Sequence, residues 1–476
     1  MALSSRAVRE LVHDRLYQPW KTERARLDKL DAWYRFDPES VPIPNGATRE
    51  LRQLIDLART PWLRLVVSTT AQAMYVDGYR SPESSENATA WDAWQRNDFD
   101  ARQIAIHRYA IAFGYCFATV LPGDKGAVLR GISPRKMQAF YTDPGEDDWP
   151  RLAIRVDGQG APGRKLIRVY DEEAEYILST ESDGDQIEYL DTKVHDFGEC
   201  PVVRYAVGLD LDARTDGEIE PFIPIAQRIN KTVYDRLMTQ HYNSWKVRTV
   251  AGMAEPLVPG TDETDVEAAA QTKLNLRQDD LLVAEDPDTK FGTLPETPLD
   301  GFIRAGESDV KTLAAVSQTP AHSLTGDLIN LNAEALEAAR ADYTNKITEM
   351  RTVIGKSHDQ LLRAAAFVDG DTTGAEDFAA HVTWQDTTIR SLSQAVDALG
   401  KAAQMLNVPV QALWQRIPGV TKLDVDEWRR MAAELSETDS VARLANALTA
   451  QAEQPSASFA PAPAPAPNGA TPPPAG

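Results

Sequence analysis

The sequence predicts an α+β fold, mainly helical, built from several subdomains. Three observations lead there. Apolar residues recur at spacings of three and four on both flanks of the chain, a stretch from about 128 to 207 alternates apolar and polar residues between turn clusters, and 476 residues exceed what one simple core holds. Apolar content of 42% and charged content of 25% are those of an ordinary folded protein.

The first hundred residues read as helices. Leu51, Leu54, Ile55 and Ala58 share one face, and Pro61 restarts the pattern with Trp62, Leu65, Val66 and Thr69. The segment holding Trp91 and Trp94, then Ile104 and Ile111, extends this layer to Gly114. Residues 115–121 are largely apolar and read as a buried strand bounded by Pro122-Gly123. Short alternating runs follow at 152–156, 166–170, 175–178 and 187–190, and Pro201-Val-Val-Arg-Tyr-Ala-Val207 closes the series. Roughly three to five antiparallel strands packed on the helical layer are expected.

Helical spacing returns near Ile219. Phe222, Ala226, Ile229, Val233 and Leu237 form one stripe, with Arg228, Lys231, Asp235 and Arg236 outside it. A helix over 219–244 would span roughly 39 Å at about 1.5 Å per residue. Residues 246–297 read as a compact insert, with strands at 247–253 and 281–284 and a short helix at 265–274. Ile303, Gly306, Val310 and Leu313 restore the helical pattern over 299–316, so the layout is helix out, small module, helix back. Thr319-Pro320 ends that helix and a polar loop runs through Leu331.

The longest periodic segment covers 332–368, through Leu336, Tyr343, Ile347, Met350, Ile354 and Leu361. Unbroken it would run roughly 55 Å, with Gly355 as the expected bend. Glu334 and Glu337 near its start and Arg363 near its end suit the helix dipole. His381-Val-Thr-Trp384 reads as a strand, and 388–449 as amphipathic helices punctuated by Pro409 and Pro418-Gly419. The Pro/Ala-rich tail, 450–476, has too little apolar bulk to fold and is expected to be disordered. No internal repeat of fixed period stands out.

The formal net charge of −21, from 71 acidic and 50 basic residues, argues against a protein that grips nucleic acid by neutralising phosphates. It is compatible with one that a polyanion slides past. Cys116 and Cys200 are the only cysteines and read as small buried apolar side chains in a chain made in a reducing compartment. MALSSRAVRELVHDRL lacks the apolar core of a secretory signal, and no run is long enough to cross a membrane.

No catalytic constellation is found: no phosphate loop, H-E-x-x-H, C-x-x-C or G-x-S-x-G. Gly158, Gly160 and Gly163 satisfy G-x-G-x-x-G, but Pro162 lies inside the motif and a strand-like run follows it. Without a helix N-terminus there is nothing to hold pyrophosphate, so this reads as a hairpin turn. The histidines, 13, 107, 195, 241, 322, 358 and 381, show no metal-ligand spacing and read as structural. The acidic clusters Glu146-Asp147-Asp148 and Asp171-Glu172-Glu173 read as solvated turn charge. Trp245-Lys246-Val-Arg248 looks like a nucleic-acid contact run, yet Trp245 also continues the stripe of the preceding helix, and packing is preferred. No catalytic, cofactor or metal residue is therefore assigned.

The order of elements resembles the portal (head-to-tail connector) proteins of tailed double-stranded-DNA bacteriophages, in their siphovirus-type branch, up to about residue 445. The segment from His195 to Tyr205, His-Asp-Phe-Gly-Glu-Cys-Pro-Val-Val-Arg-Tyr, looks like that family's G-x-x-P-V-V strand. Gly217-Glu-Ile219 and a helix with Ile229-Asn230-Lys231 follow it; Thr319-Pro320, Leu328-Ile-Asn330 and Val382-Thr-Trp384-Gln-Asp386 match further along. The resemblance implies a portal fold: a wing over 1–218 and 332–386, stem helices at 219–244 and 298–316, a clip at 245–297, a tunnel loop at 317–331 and a crown at 387–449.

By the same resemblance the protein is not an enzyme and needs no cofactor. About twelve copies would close into a ring at one capsid vertex, conducting DNA during packaging and ejection. Implied partners are the major capsid protein and scaffold, the terminase large subunit, a head-completion or adaptor protein, and double-stranded DNA in transit, with no membrane. The protein would be made in the host bacterial cytoplasm and end in the virion. Gln318, His322, Ser323, Thr325 and Asn330 are expected to face the channel, where short polar contacts break cheaply and His322 could titrate. Phe222, Ala226, Ile229, Val233, Leu237, Ile303, Val310 and Leu313 are expected to pack between neighbouring copies. Lys246, Arg248, Lys273 and Arg277 are assigned to the clip. Another ring-forming virion adaptor, or a soluble enzyme with an unfamiliar site, are the competing readings; adaptors are usually shorter and lack the helix–insert–helix order.

Overall fold

The computed structural model describes residues 2–36, 48–81, 88–158, 163–181, 186–208, 210–244, 248–251, 290–293, 295–326, 340–385, 392–417, 420, 424–425 and 427–435. They fall into two units, Met1–Gln385 and Asp386–Gly476.

In the first unit the helical layer begins with α1 (Ser5–Leu11), whose N-cap Ser4 accepts from the Ala7 N–H at 3.3 Å. A π-helical turn leads into α2 (Tyr17–Arg35). Next come α3 (Arg49–Ala58), capped by Thr48, and α4 (Trp62–Gln72) after Pro61. The layer continues with α5 (Ala88–Arg96) and α6 (Phe99–Phe113), which stops at Gly114, φ +90°. Between α4 and α5 lies β1 (Val76–Arg80), a strand too short and polar to have been read from the sequence.

The β region exceeds expectation. It holds a three-stranded sheet ordered β3-β2-β9 and a five-stranded antiparallel sheet running β4 to β8 in chain order. The strands are β2 (Tyr115–Gly123), β3 (Gly126–Ile132), β4 (Met137–Phe140), β5 (Leu152–Asp157), β6 (Arg164–Tyr170), β7 (Ala174–Glu181), β8 (Ile187–Val194) and β9 (Val202–Ala206). Alternation sorts the larger sheet's faces. Ile154, Val156, Ile167, Val169, Tyr176 and Leu178 pack against Val8, Val12, Leu16 and Trp20. Ala153 and Tyr170, on the other face, join Phe117, Ile132 and Val202 of the smaller sheet. Gly158 and Gly163 of the glycine-rich motif lie at the two ends of the link between the antiparallel strands β5 and β6, Gly163 having φ +83°, and 159–162 lie outside the described residues.

After β9 the chain enters α7 (Ile223–Asn243) through a 3-10 turn at Glu220–Phe222. The insert is seen as β10 (Arg248–Ala251) paired with β11 (Lys290–Thr293). The strand expected at 281–284 and the helix expected at 265–274 lie outside the described residues. There follow α8 (Asp300–Val316), α9 (Ala321–Thr325), α10 (Ala341–Val368), α11 (Thr372–Glu376) and β12 (His381–Trp384). The expected polar loop thus contains a helical turn, α9. At Gly355, where a bend is expected, α10 continues as one helix. A Cβ there would make only ordinary contacts, 3.6 Å from the Trp384 indole nitrogen and from Val382. β12 pairs with β1, Tyr79 opposite Val382, across three hundred positions of sequence.

The second unit contains α12 (Leu392–Leu406), α13 (Val410–Leu413) behind Pro409, and a 3-10 turn at Trp414–Arg416. Trp414 meets Trp428 edge to face at 6.1 Å. Residues 436–449 of the expected helical region and the tail lie outside the described residues.

Candidate functional site

The elements singled out by the sequence meet at one junction, where the entrance to α7, the C-terminus of α8 and the first turns of α10 converge. Gly114 and Gly217 create it. A Cβ on Gly217 would sit 2.4 Å from the Ala112 carbonyl oxygen, and one on Gly114 2.3 Å from that of Thr215. Only two glycines let these backbones cross. The crossing allows the Glu218 N–H to donate to the Ile111 carbonyl at 2.7 Å. It also fixes the Glu218 carboxylate below α10, where Lys346 Nζ reaches it at 2.7 Å. Both side chains are largely buried, 7% and 13% exposed. The same ammonium donates to the Ser317 carbonyl at 2.7 Å, joining three segments through one cation.

Ser317 is the C-cap of α8. The Gln318 N–H donates to Ala315 O at 3.2 Å and the Thr319 N–H to Ala314 O at 3.0 Å. This is a Schellman closure, with Gln318 in the left-handed position at φ +50° where glycine is usual. Ser317, Thr319, Pro320 and Leu324 are buried, Gln318 is exposed, and His322, Ser323 and Thr325 are half-buried. His322 Nε2 lies 3.4 Å from an Arg340 guanidinium nitrogen. The segment is thus pinned by its buried members and presents the short polar ones. Asn330, the fifth residue assigned to it, lies outside the described residues.

The paired helices are antiparallel. Arg228 Nε meets Asp309 Oδ1 at 2.8 Å, Gly306 lies opposite Thr232, and Asn243 Nδ2 donates to the Thr297 carbonyl at 2.8 Å at the base of the insert. α3 packs on α7, with Ile55 and Ala58 against Tyr234, Val233, Leu237 and Met238. Asn230 accepts from the Thr60 N–H at 3.3 Å and holds the α3–α4 corner. One expectation needs correction here. Ala226, Ile229, Val310 and Leu313 are buried in the chain's own core, and Phe222 packs against it. Val233 and Leu237 are half-buried under α3, so of the eight stripe residues only Ile303 is exposed. Val316 and Tyr242 add exposed apolar surface on the same pair. In the insert, Lys246, Lys273 and Arg277 lie outside the described residues, and Arg248 is seen as backbone paired with Thr293.

The histidines did hold a pairing that spacing does not reveal. His107 of α6 and His358 of α10 are fully buried, with their Nε2 atoms 2.8 Å apart. The Met74 carbonyl, 3.1 Å from His107 Nδ1, can only accept, so that nitrogen carries a proton. His107 Nε2 must then accept from His358 Nε2–H, and His358 Nδ1 accepts from the Tyr205 hydroxyl at 3.0 Å. Burial lowers His107 to about 4 against a weaker opposing Met74 bond, and lowers His358 well below the ordinary imidazole range. Trp94 and Trp384 close the cluster edge-on. His195 is buried too, its Nε2 donating to Asp171 O at 3.1 Å and its Nδ1 accepting from the Phe197 N–H. Asp171, within the second acidic cluster, is spent on the Glu173 and Ala174 N–H groups and the Tyr176 hydroxyl. Cys116 and Cys200 are buried thiols held protonated by desolvation. No group of three or more potential metal ligands occurs among the described residues.

Compared with known proteins, residues 13–440 match the family described as phage portal protein, SPP1 Gp6-like. Among solved structures, a chain from the neck of an empty GTA particle computed with C6 symmetry is similar at 12% identity and TM-score 0.42. A chain from the virion of a native gene transfer agent particle is similar at 11% identity and TM-score 0.42. Each alignment covers 78% of this chain and 96% of the other. No curated protein matches.

Proposed function

Because the chain belongs to the SPP1 Gp6-like phage portal protein family, a family of structural components, we propose that copies of it close into a ring at one capsid vertex and conduct DNA during packaging and ejection. In this reading α7 and α8 are the stem, the insert between them the clip, residues 317–331 the tunnel loop, 1–218 with 332–386 the wing, and 387–449 the crown. The clip would receive the terminase large subunit and later a head-completion or adaptor protein, while the capsid protein and scaffold surround the wing.

The observation that carries the reading is the antiparallel α7–α8 pair, tied at its far end by Asn243 and Thr297 and at its near end by Lys346. A hairpin of helices fastened at both ends is stiff and suits a stem that carries the insert at one end. Ile303, Val316 and Tyr242 stay exposed on it and gain from a neighbour at a heterologous contact, which closes as a ring. The remaining channel side chains, Gln318, His322, Ser323 and Thr325, are short, polar and only partly engaged, so contacts with a moving polyanion would form and break at little cost.

Electron microscopy of the purified full chain, with light scattering, tests this. Rings with an axial hole are expected. A species of 52.5 kDa that persists at high concentration would refute ring formation. A ring in which 317–331 lies on the outer rim would refute the channel assignment alone.

A further inference from the structure

Outside the junction, a cavity of about 440 Å3 opens between α6, β3 and β5. Its floor is apolar: Ile106 and Ile132 are buried there, with the ring of Tyr109 and the thiol of Cys116 beside them. The thiol donates to the Ile106 carbonyl at 3.4 Å, so the floor carries no charge. Gly131 lets α6 approach β3 closely beside it, since a Cβ at that position would lie 2.8 Å from Ile106 Cγ1.

The rim is cationic. Arg155 is neutralised by Asp157 at 2.7 Å, but Arg102 makes a single bond, to the Leu129 carbonyl at 3.2 Å, and Arg130 is exposed with no partner among the described residues. No carboxylate lines this cavity among the described residues. Glu175, which lines the adjacent cavity that shares Arg130, is held by Arg168 at 2.8 Å. Two guanidiniums left uncompensated beside an apolar hollow, in a chain with net charge −21, define a ligand by chemistry. It must bring its own negative charge and an apolar body.

We propose that this cavity binds a small organic anion, with an aromatic or branched apolar body on the Ile106–Ile132 floor and a carboxylate or sulfonate held by Arg102 and Arg130. Duplex DNA does not fit this description, because its charge is on the outside and its apolar faces are stacked away.

The test uses the full chain and two dyes sharing one ring system: 8-anilinonaphthalene-1-sulfonate, which is anionic, and N-phenyl-1-naphthylamine, which is neutral. Ala105→Trp fills the cavity from an exposed position on α6, so the fluorescence it removes isolates this site from other apolar surface. Circular dichroism confirms that each variant is folded. The isolated site is expected to bind the anionic dye at least about tenfold more tightly than the neutral one, and Arg102→Gln with Arg130→Gln to abolish that difference. Equal binding of the two dyes, no loss in Ala105→Trp, an unaltered preference in the double glutamine variant, or displacement of the dye by a short DNA duplex would each overturn the proposal.

Discussion

Lys346 holds a position that tolerates little change. Its ammonium is almost dry and serves both Glu218 and the Ser317 carbonyl, so removing it strands a carboxylate that is itself largely buried. Lys346→Met should cost about 3–5 kcal/mol, whereas Lys346→Met with Glu218→Leu should recover most of that, because an apolar pair replaces an ionic one without leaving a lone charge. Denaturant midpoints of the three proteins check this; equal losses in single and double variants would show that the ion pair is not the source. The buried imidazoles make a pH prediction with a definite sign. Both folded-state pKa values lie below the ordinary 6.5, His107 near 4. Below pH 6.5 the unfolded chain therefore takes up protons that the folded chain refuses, and stability is lost as pH falls from about 6.5 toward 4. Each imidazole contributes a slope of up to about 1.4 kcal/mol per pH unit in that window. Thermal midpoints of the wild type should thus fall more steeply between pH 7 and pH 5 than those of His358→Leu, even though the variant starts lower. Parallel curves would mean the pair is not coupled to folding.

At the scale of elements, the α7–α8 hairpin separates internal packing from assembly. Leu313 is fully buried in the chain's own core, while Ile303 is 42% exposed on the same helix. Leu313→Ala should cost about 2–5 kcal/mol of chain stability. Ile303→Asp should change stability by less than about 0.5 kcal/mol and instead lower the fraction of protein in rings, measured by light scattering. If Ile303→Asp leaves assembly intact, that face of the hairpin is not between copies. The cap of α8 offers a gain: Gln318→Gly relieves a side chain held at φ +50° and should stabilise by up to about 1 kcal/mol, seen as a higher thermal midpoint. These contrasts mark how far sequence reached. Spacing located both helices of the hairpin, α10 and the strand at 381–384, because helical and strand periodicities are local. It could not say what covers a stripe. Val233 and Leu237 look in need of a neighbour from another copy until α3, far earlier in the chain, is seen to pack on them. The same limit hid β1, whose five residues include Asp77 and Gly78 and gain strand character only from β12. It hid the His107–His358 pair, 251 positions apart. Gly217 was legible as part of a motif, but its reason, a backbone crossing at Gly114, exists only in three dimensions.

At the scale of the whole molecule, charge sets the terms of assembly. Each copy carries a formal −21, so bringing copies together in the proposed ring concentrates like charge around one axis. That repulsion must be overcome by apolar contact, and it acts over a screening length that salt shortens from about 30 Å at 0.01 M to about 8 Å at 0.15 M. Ring formation should therefore strengthen as salt rises from about 0.02 to 0.5 M, the opposite of an assembly stitched by ion pairs. The same charge should leave the ring with little grip on its cargo. A duplex longer than the channel should pass or dissociate freely, and no shifted band should appear in a gel at about 0.15 M salt, where proteins that neutralise phosphates still bind. Mass photometry across the salt series and a parallel gel-shift series read the two effects on one preparation. Rings that fall apart as salt rises would place ion pairs, not apolar faces such as that of Ile303, at the contact between copies. Tight DNA retention at 0.15 M would show that the lining is basic despite the acidic total, and the weak-contact account of Gln318, Ser323 and Thr325 would fail with it.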